Sequence, residues 1–132
     1  MRSETAEEYL RAILFLRQKR GVARASELAK YLNISKAGVS ESLHSLSSAG
    51  LAKQAPYGPI HLTPKGQRLA SKMTFKHRVI ELFLAKTLHL PKGDVHDEAS
   101  KLEHAASDET VRRLYSFLGK PKRDPHGQPI IQ

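Results

Sequence analysis

The stretch His96-Asp97-Glu98-Ala99-Ser100-Lys101-Leu102-Glu103-His104 concentrates groups able to hold a metal ion. On a helix, residues four apart share a face, which would set His96, Ser100 and His104 in one row with Glu103 beside His104. Upstream, His77 and Glu81 are also four apart. Imidazole with carboxylate and no thiol suits a borderline-hard divalent ion: Mn(II), Fe(II), Co(II) or Zn(II). Taken singly, such a pair reads as solvated helix surface, which is polar by default. Two pairs on neighbouring helices, beside a basic segment with a DNA-binding pattern, favour a metal site.

The elements that must position these groups are bounded by composition. A chain of 132 residues makes one compact unit or two small ones sharing a core. No apolar run approaches the length that crosses a bilayer, and Met1-Arg2-Ser3-Glu4-Thr5 has no signal-peptide core behind it. There is no cysteine, hence no disulfide and no thiolate ligand. These features predict a cytoplasmic protein with no membrane partner. The formal charge of +9 is uneven: residues 1–75 hold 12 Lys/Arg against 5 Asp/Glu, and residues 76–132 hold 10 against 8. The first half is the candidate for binding a polyanion, although a basic face alone also fits ribosomal or membrane-surface proteins.

Residues 4–20 read as an amphipathic helix with Leu10, Ile13, Leu14 and Leu16 available for burial, ended by Gly21. Val22-Ala23-Arg24 is a short extended link. Ser26 to Leu32 forms a short helix, Asn33-Ile34-Ser35 a tight turn with Ser35 as N-cap, and Lys36 to Ser48 a helix turning Val39, Leu43 and Leu46 inward. Leu51–Gln54 and Ile60–Leu62 read as strands around the turn Pro56-Tyr57-Gly58-Pro59. Thr63-Pro64 opens a helix from Lys65 to about Leu88. Leu90-Pro91-Lys92-Gly93 breaks it. Asp94 is expected to cap a helix through Ala106, and Asp108 one through Leu118. Gly119 to Gln132 reads as a tail without regular structure. The fold class predicted is mainly α, with a winged helix-turn-helix over residues 1–72 and an all-helical domain over residues 73–132.

Helix, short turn, helix and hairpin make the DNA-reading pattern. Ser35, Lys36 and Lys53 suit phosphate contacts. Ala37 and Gly38 are small enough for close approach to a duplex, and Ser40 and Glu41 lie where such a helix reaches base edges. Glu41 either accepts from a cytosine amino group or points away. The alternative is an ordinary three-helix core with a solvated third helix. His44, His61 and His89 lack a partner pattern and read as surface or DNA-facing groups. His126, in a proline-rich tail, reads as structural, Met73 as core, and Asp97 as a group that could orient a ligating histidine.

These residues resemble the diphtheria toxin repressor and manganese transport regulator family. Thr5-Ala6-Glu7-Glu8-Tyr9-Leu10-Arg11-Ala12-Ile13 is similar to its opening helix, Val39-Ser40 with Leu43 to its recognition helix, and Leu62-Thr63-Pro64-Lys65-Gly66 to its exit from the wing. Lys76-His77-Arg78, Val95-His96-Asp97-Glu98-Ala99 and Glu103-His104 resemble its metal-binding helices, and Asp124-Pro125-His126-Gly127-Gln128-Pro129-Ile130 the end of its second domain. The resemblance implies a homodimeric repressor whose affinity for double-stranded operator DNA depends on a bound transition metal. It also implies a short form, since longer members add an SH3-like domain. Glu103 and His104 match ligand positions. Glu8 falls where members place methionine or aspartate, and Ser100 where they place cysteine or glutamate. Arg11 stands where the manganese regulators use a further carboxylate. His77, Glu81 and His96 match a second site that in iron-type members takes further ligands from the additional domain.

With no thiolate, Mn(II) or Fe(II) is the metal expected in the cell, with Co(II), Ni(II) and Zn(II) as alternatives. The competing reading is a winged-helix regulator that ignores metal. A metal-dependent hydrolase would need a nucleophile motif, a phosphate loop or His-Glu-x-x-His, none of which occurs. No catalytic residue and no small-molecule substrate are expected. Leu82, Phe83, Leu114, Tyr115 and Leu118 exceed what the small second half can hide alone, so some of them are expected at a dimer interface.

Overall fold

The computed structural model describes residues 3–131, so the reading of Met1 and Arg2 as part of a leaderless start lies outside it. The chain divides into two compact units, Met1–Ser71 and Lys72–Gln132.

In the first unit, α1 (Ser3–Arg20) buries Tyr9, Leu10, Ala12, Ile13, Leu14 and Leu16 in one core. Arg17, Lys19 and Arg20 sit in its last turn, where positive charge meets the negative end of the helix dipole. Gly21, at φ +83, ends it. The second helix, α2 (Ala25–Leu32), starts one residue before Ser26, and its N-cap Arg24 makes no side-chain capping bond. Asn33 closes it in the left-handed region at φ 55, which asparagine tolerates better than most residues. Ser35 then caps α3 (Lys36–Ser48), its hydroxyl accepting from the Gly38 amide at 3.0 Å. Val39, Leu43 and Leu46 face the core, as their spacing predicts.

Two antiparallel strands follow, β1 (Ala52–Gln54) and β2 (Ile60–Leu62), pairing Ala52 with Leu62, Lys53 with His61 and Gln54 with Ile60. The link at Ala23 is more than a spacer: its carbonyl accepts from the Ile60 amide at 2.7 Å, adding a one-residue bridge to the hairpin. Leu51 lies outside the strand, although its carbonyl still accepts from the Thr63 amide at 3.1 Å. The Thr63 hydroxyl donates to the Gly50 carbonyl at 2.6 Å and accepts from the Gly66 amide at 3.1 Å, fixing the start of α4 (Pro64–Lys86). Gly66 is held by this closeness, since a Cβ there would run into the Leu51 carbonyl oxygen.

The second unit takes the rest of α4, with α5 (Lys92–Leu102), α6 (Asp108–Phe117) and a terminal turn. The helix α4 stops at Lys86, short of Leu88, and His89 turns the chain at φ 55. Pro91, not Asp94, is the N-cap of α5; the fixed φ of proline suits a helix start, and Asp94 lies in the first turn, where its charge meets the positive end of the dipole. The same helix ends at Leu102 rather than Ala106, so Glu103 is its C-cap and His104 lies in the turn beyond. Ser107, not Asp108, caps α6, accepting from the Thr110 amide at 3.1 Å. Asp108 is engaged elsewhere, at 2.8 Å from Lys72 and 2.9 Å from Lys76, and Lys76 also donates to the Ala106 carbonyl.

Val79, Leu82, Val111 and Ile130 form one apolar cluster of this unit, and Ile80, Leu84, Val95 and Ala99 another. Leu82 is spent on its own core, and Leu114, Tyr115 and Leu118 are partly buried against it. The large apolar side chains left most exposed here are Phe117 and Ile131, then Leu88 and Leu102. The tail expected to lack structure is organised around Asp124. Its carboxylate oxygen Oδ1 accepts from the amides of His126 and Gln128 at 2.9 and 2.7 Å, and Arg123 bridges Pro129.

This packing makes two features testable. Gly66→Ala should lower stability by about 1–3 kcal/mol, the usual range for overpacking, because a methyl group would meet backbone; a thermal midpoint unchanged from the parent would contradict it. Bonds from Lys72 and Lys76 lower the Asp108 carboxyl from 3.8 to about 2. That contribution to stability is complete above the ordinary carboxylate range and is lost as pH falls through about 2. Asp108→Asn should therefore melt below the parent at pH 6, and the gap should close between pH about 4 and about 2. A gap of constant size would contradict it.

Candidate metal centre and nucleic-acid interface

Glu81 is the centre of the second unit's polar core. It lies on α4 at only 2% exposure, one turn after His77. Its Oε2 stands 3.4 Å from His77 Nε2, 3.6 Å from His96 Nδ1 and 3.7 Å from His126 Nδ1. His77 Nε2 and His96 Nδ1 are 3.1 Å apart. Burial alone would raise the Glu81 carboxyl; its contacts with His77 and His96 and the charges of His77 and His126 outweigh that and lower it to about 2. Among the lowering influences, the hydrogen-bonding contacts of His77 and His96 come first and the charges of His77 and His126 after them.

On its other side, His77 Nδ1 lies 3.1 Å from Oε1 of Glu103, which is fully buried. An ionised carboxylate can only accept, so the ring donates through Nδ1. In its neutral form it then turns the Nε2 lone pair toward Glu81 and His96, an orientation that carboxylates commonly impose on metal-ligating histidines.

The donor spacing fits an ion. Ligands bound at about 2.0–2.2 Å stand roughly 3.0–3.6 Å from their neighbours around one metal, from the bond lengths alone. The contacts among His77, Glu81 and His96 fall at 3.1–3.6 Å. His77 and Glu81 are buried and His96 is half exposed, so the group is closed below and open to solvent above.

Among the described residues, two sets of three ligand groups have donor atoms within 4.8 Å of one another: His77–Glu81–His96 and Glu81–Asp124–His126. The i, i+4 spacing on α4 anticipates the first pair. The second set has no helical period to reveal it. His126, which reads from sequence as structural, is brought to Glu81 by the terminal turn. The signal available is the Asp-Pro-His-Gly string, since aspartate favours turns that accept from amides two residues on. Glu103 and His104 fall in neither set. His104 and Ser100 are partly buried, in the turn after α5 and on α5, and Glu8 is partly buried on α1 of the first unit.

In the first unit, Ser35, Lys36, Ala37, Ser40 and Glu41 are exposed along the start and outer face of α3, and Lys53 is exposed on β1. An open groove between α3 and the hairpin is lined by Ser40, His44, Ser47, Lys53 and Gln54. Glu41 shares this face, so it does not point into the core. Gly38 is half-buried, and its smallness has a local cause: a Cβ would meet Ile34 Cγ2 at 2.9 Å. The helix, turn and helix with a following two-stranded wing present one exposed face with cationic and hydroxyl groups, the chemistry that phosphate contacts use.

Residues 1–60 match the family model described as the N-terminal DNA binding domain of iron dependent repressors, and residues 63–132 the one described as their metal binding and dimerisation domain. The chain is 40% identical to an uncharacterised HTH-type transcriptional regulator of Methanocaldococcus jannaschii, over 91% of this chain and 97% of that one. It is 35% identical to the diphtheria toxin repressor of Corynebacterium diphtheriae over 96% of its own length, but spans only 56% of that protein. Among solved structures, a manganese-dependent transcriptional repressor in complex with manganese superposes with a TM-score of 0.88 at 38% identity, covering 96% of this chain and 58% of that one. The chain belongs to the iron-dependent repressor family and carries both its DNA-binding domain and its metal-binding and dimerisation domain.

Proposed function

We propose that this protein is a transcriptional repressor of metal homeostasis that binds double-stranded operator DNA as a homodimer when loaded with Mn(II) or Fe(II). The observation that carries the reading is the buried Glu81 carboxylate ringed by imidazoles, inside the segment that matches a metal-binding and dimerisation domain. His77, Glu81 and His96 would hold the ion. When bound, it would supply positive charge beside the buried Glu81 carboxylate. The donor set has no thiolate, so softer ions lose the ligand that would favour them. Glu8, Ser100, Glu103 and His104 are proposed as further ligands on the strength of the family resemblance.

Ser35, Lys36 and Lys53 would contact phosphates, Ala37 and Gly38 lie at the close-approach end of the reading helix, and Ser40 and Glu41 would face base edges. Phe117 at 70% exposure and Leu88 at 52% are the apolar candidates for the dimer interface. The role is regulatory rather than enzymatic. No helix among the described residues is long and apolar enough to cross a membrane, which accords with a proposed cytoplasmic site of action.

Operator selection followed by fluorescence anisotropy tests the reading. Affinity for the selected operator should rise on addition of Mn(II) or Fe(II). With about five phosphate contacts per dimer, its log–log salt slope should be roughly −4 to −5. Lys36→Ala should weaken binding to all sequences alike and make that slope shallower by about 1 for each phosphate no longer neutralised, whereas Glu41→Ala should change which bases are preferred. Operator affinity indifferent to metal would favour the metal-independent winged-helix reading. A response to Zn(II) with Mn(II) and Fe(II) inert would overturn the metal preference.

A further inference from the structure

The C-terminal turn is held by a set of hydrogen bonds around Asp124 and by the burial of Ile130. Asp124 accepts the amides of His126 and Gln128, and its own amide donates to the Gln128 carbonyl at 2.8 Å. Ile130 donates its amide to Lys122 and buries its side chain against Val79, Leu82 and Val111. Arg78, on α4 beside His77, donates to the Pro129 carbonyl. The turn is thus moored to α4 just after His126, through Pro129 and Ile130. It sets His126 Nδ1 at 3.7 Å from Glu81 Oε2, and a carboxylate oxygen of buried Asp124 falls in the same group. Nothing in the hydrogen bonding of the turn requires an imidazole: the bonds at residue 126 use its backbone amide.

Building on the metal-binding reading, we infer that His126 is a ligand of the Glu81-centred metal site, with Asp124 beside it, and that metal binding locks the C-terminal turn onto α4. Glu81 belongs to both ligand sets and faces His77, His96 and His126 with a single oxygen. An ion that takes that oxygen therefore draws on α4, α5 and the turn together. Three imidazoles and a carboxylate remain a borderline-hard donor set, and a fourth donor fills the sphere that His77, Glu81 and His96 leave open on the solvent side. The half-exposed rings of His96 and His126 form the mouth through which a hydrated ion would enter.

Titration calorimetry with Co(II) and with Mn(II), together with the visible spectrum of the Co(II) form, tests this on the whole chain. His126→Ala should keep the helical content and thermal midpoint of the metal-free protein. It should weaken one binding step by about 10-fold or more, at least the loss seen when groups that merely support a ligand are removed. The Co(II) absorption bands should shift with the loss of a nitrogen donor. Asp124→Asn, which keeps a side-chain oxygen for the turn but removes its charge, should also weaken that step. Hydrogen exchange supplies a readout independent of affinity. Metal should protect the amides of Gly127, Gln128 and Ile130 in the parent and not in His126→Ala. A parent that binds neither ion overturns the metal reading itself. A parent that binds, with His126→Ala matching it in affinity, spectrum and exchange, overturns the inference alone.

Discussion

A carboxylate buried without compensation is among the costliest things a small protein can contain, since taking an ion out of water costs several kcal/mol unless it is paired. Glu81 would be such a group without the imidazoles around it, and the second unit is arranged to supply them. Helix α4 supplies His77 one turn away, α5 supplies His96, and the terminal turn supplies His126. Each of the three approaches the same oxygen. A protein seeking stability alone would replace this polar centre with an apolar side chain, which is often neutral or stabilising. Within a core of Val79, Leu82, Ile80 and Val95, the proposed metal ion would pair with that charge.

The same constraint explains local features that look unrelated. Glu103 ends α5 at zero exposure because its carboxylate orients His77 from behind. Lys76 precedes His77 on α4 and is drawn to Asp108 and the Ala106 carbonyl, which fixes the start of α6. Arg78 follows His77 and holds the terminal turn through Pro129. Three consecutive buried polar residues on one helix thus reach three different segments. In the first unit polar groups play a different part: Ser35 and Thr63 cap helices, and the outer side chains of α3 are exposed, as the proposed contact with a polyanion needs.

Much of this is legible in the sequence where a period or a cap carries it. The apolar rows of α1 and α3, the Asn33-Ile34-Ser35 turn, the hairpin and the four-residue spacing of His77 and Glu81 all follow from local rules. The departures are of another kind. Aspartate favours the capping position, which points to Asp94 and Asp108, but Pro91 already has the required φ, and Asp108 has stronger partners in Lys72 and Lys76. Leu82 is the one of the five apolar residues Leu82, Phe83, Leu114, Tyr115 and Leu118 that is fully buried in its own core, and no local pattern reveals how much apolar surface one small unit can absorb. His126 looks unremarkable in sequence because its partner lies 45 residues earlier in the numbering, and only the turn around Asp124 brings them together. Gly38 and Gly66 are small for reasons of backbone and side-chain proximity that no spacing rule encodes.

The central claim is that the imidazoles around Glu81 are metal ligands rather than charge partners alone. Electron–nuclear double resonance on the Mn(II)-loaded protein tests it most directly, since nitrogen bound to the ion gives a hyperfine coupling that solvent does not. The account predicts imidazole nitrogen couplings in the loaded parent, reduced in number by His77→Ala and by His96→Ala. A spectrum showing only water protons, with no bound nitrogen, would contradict it.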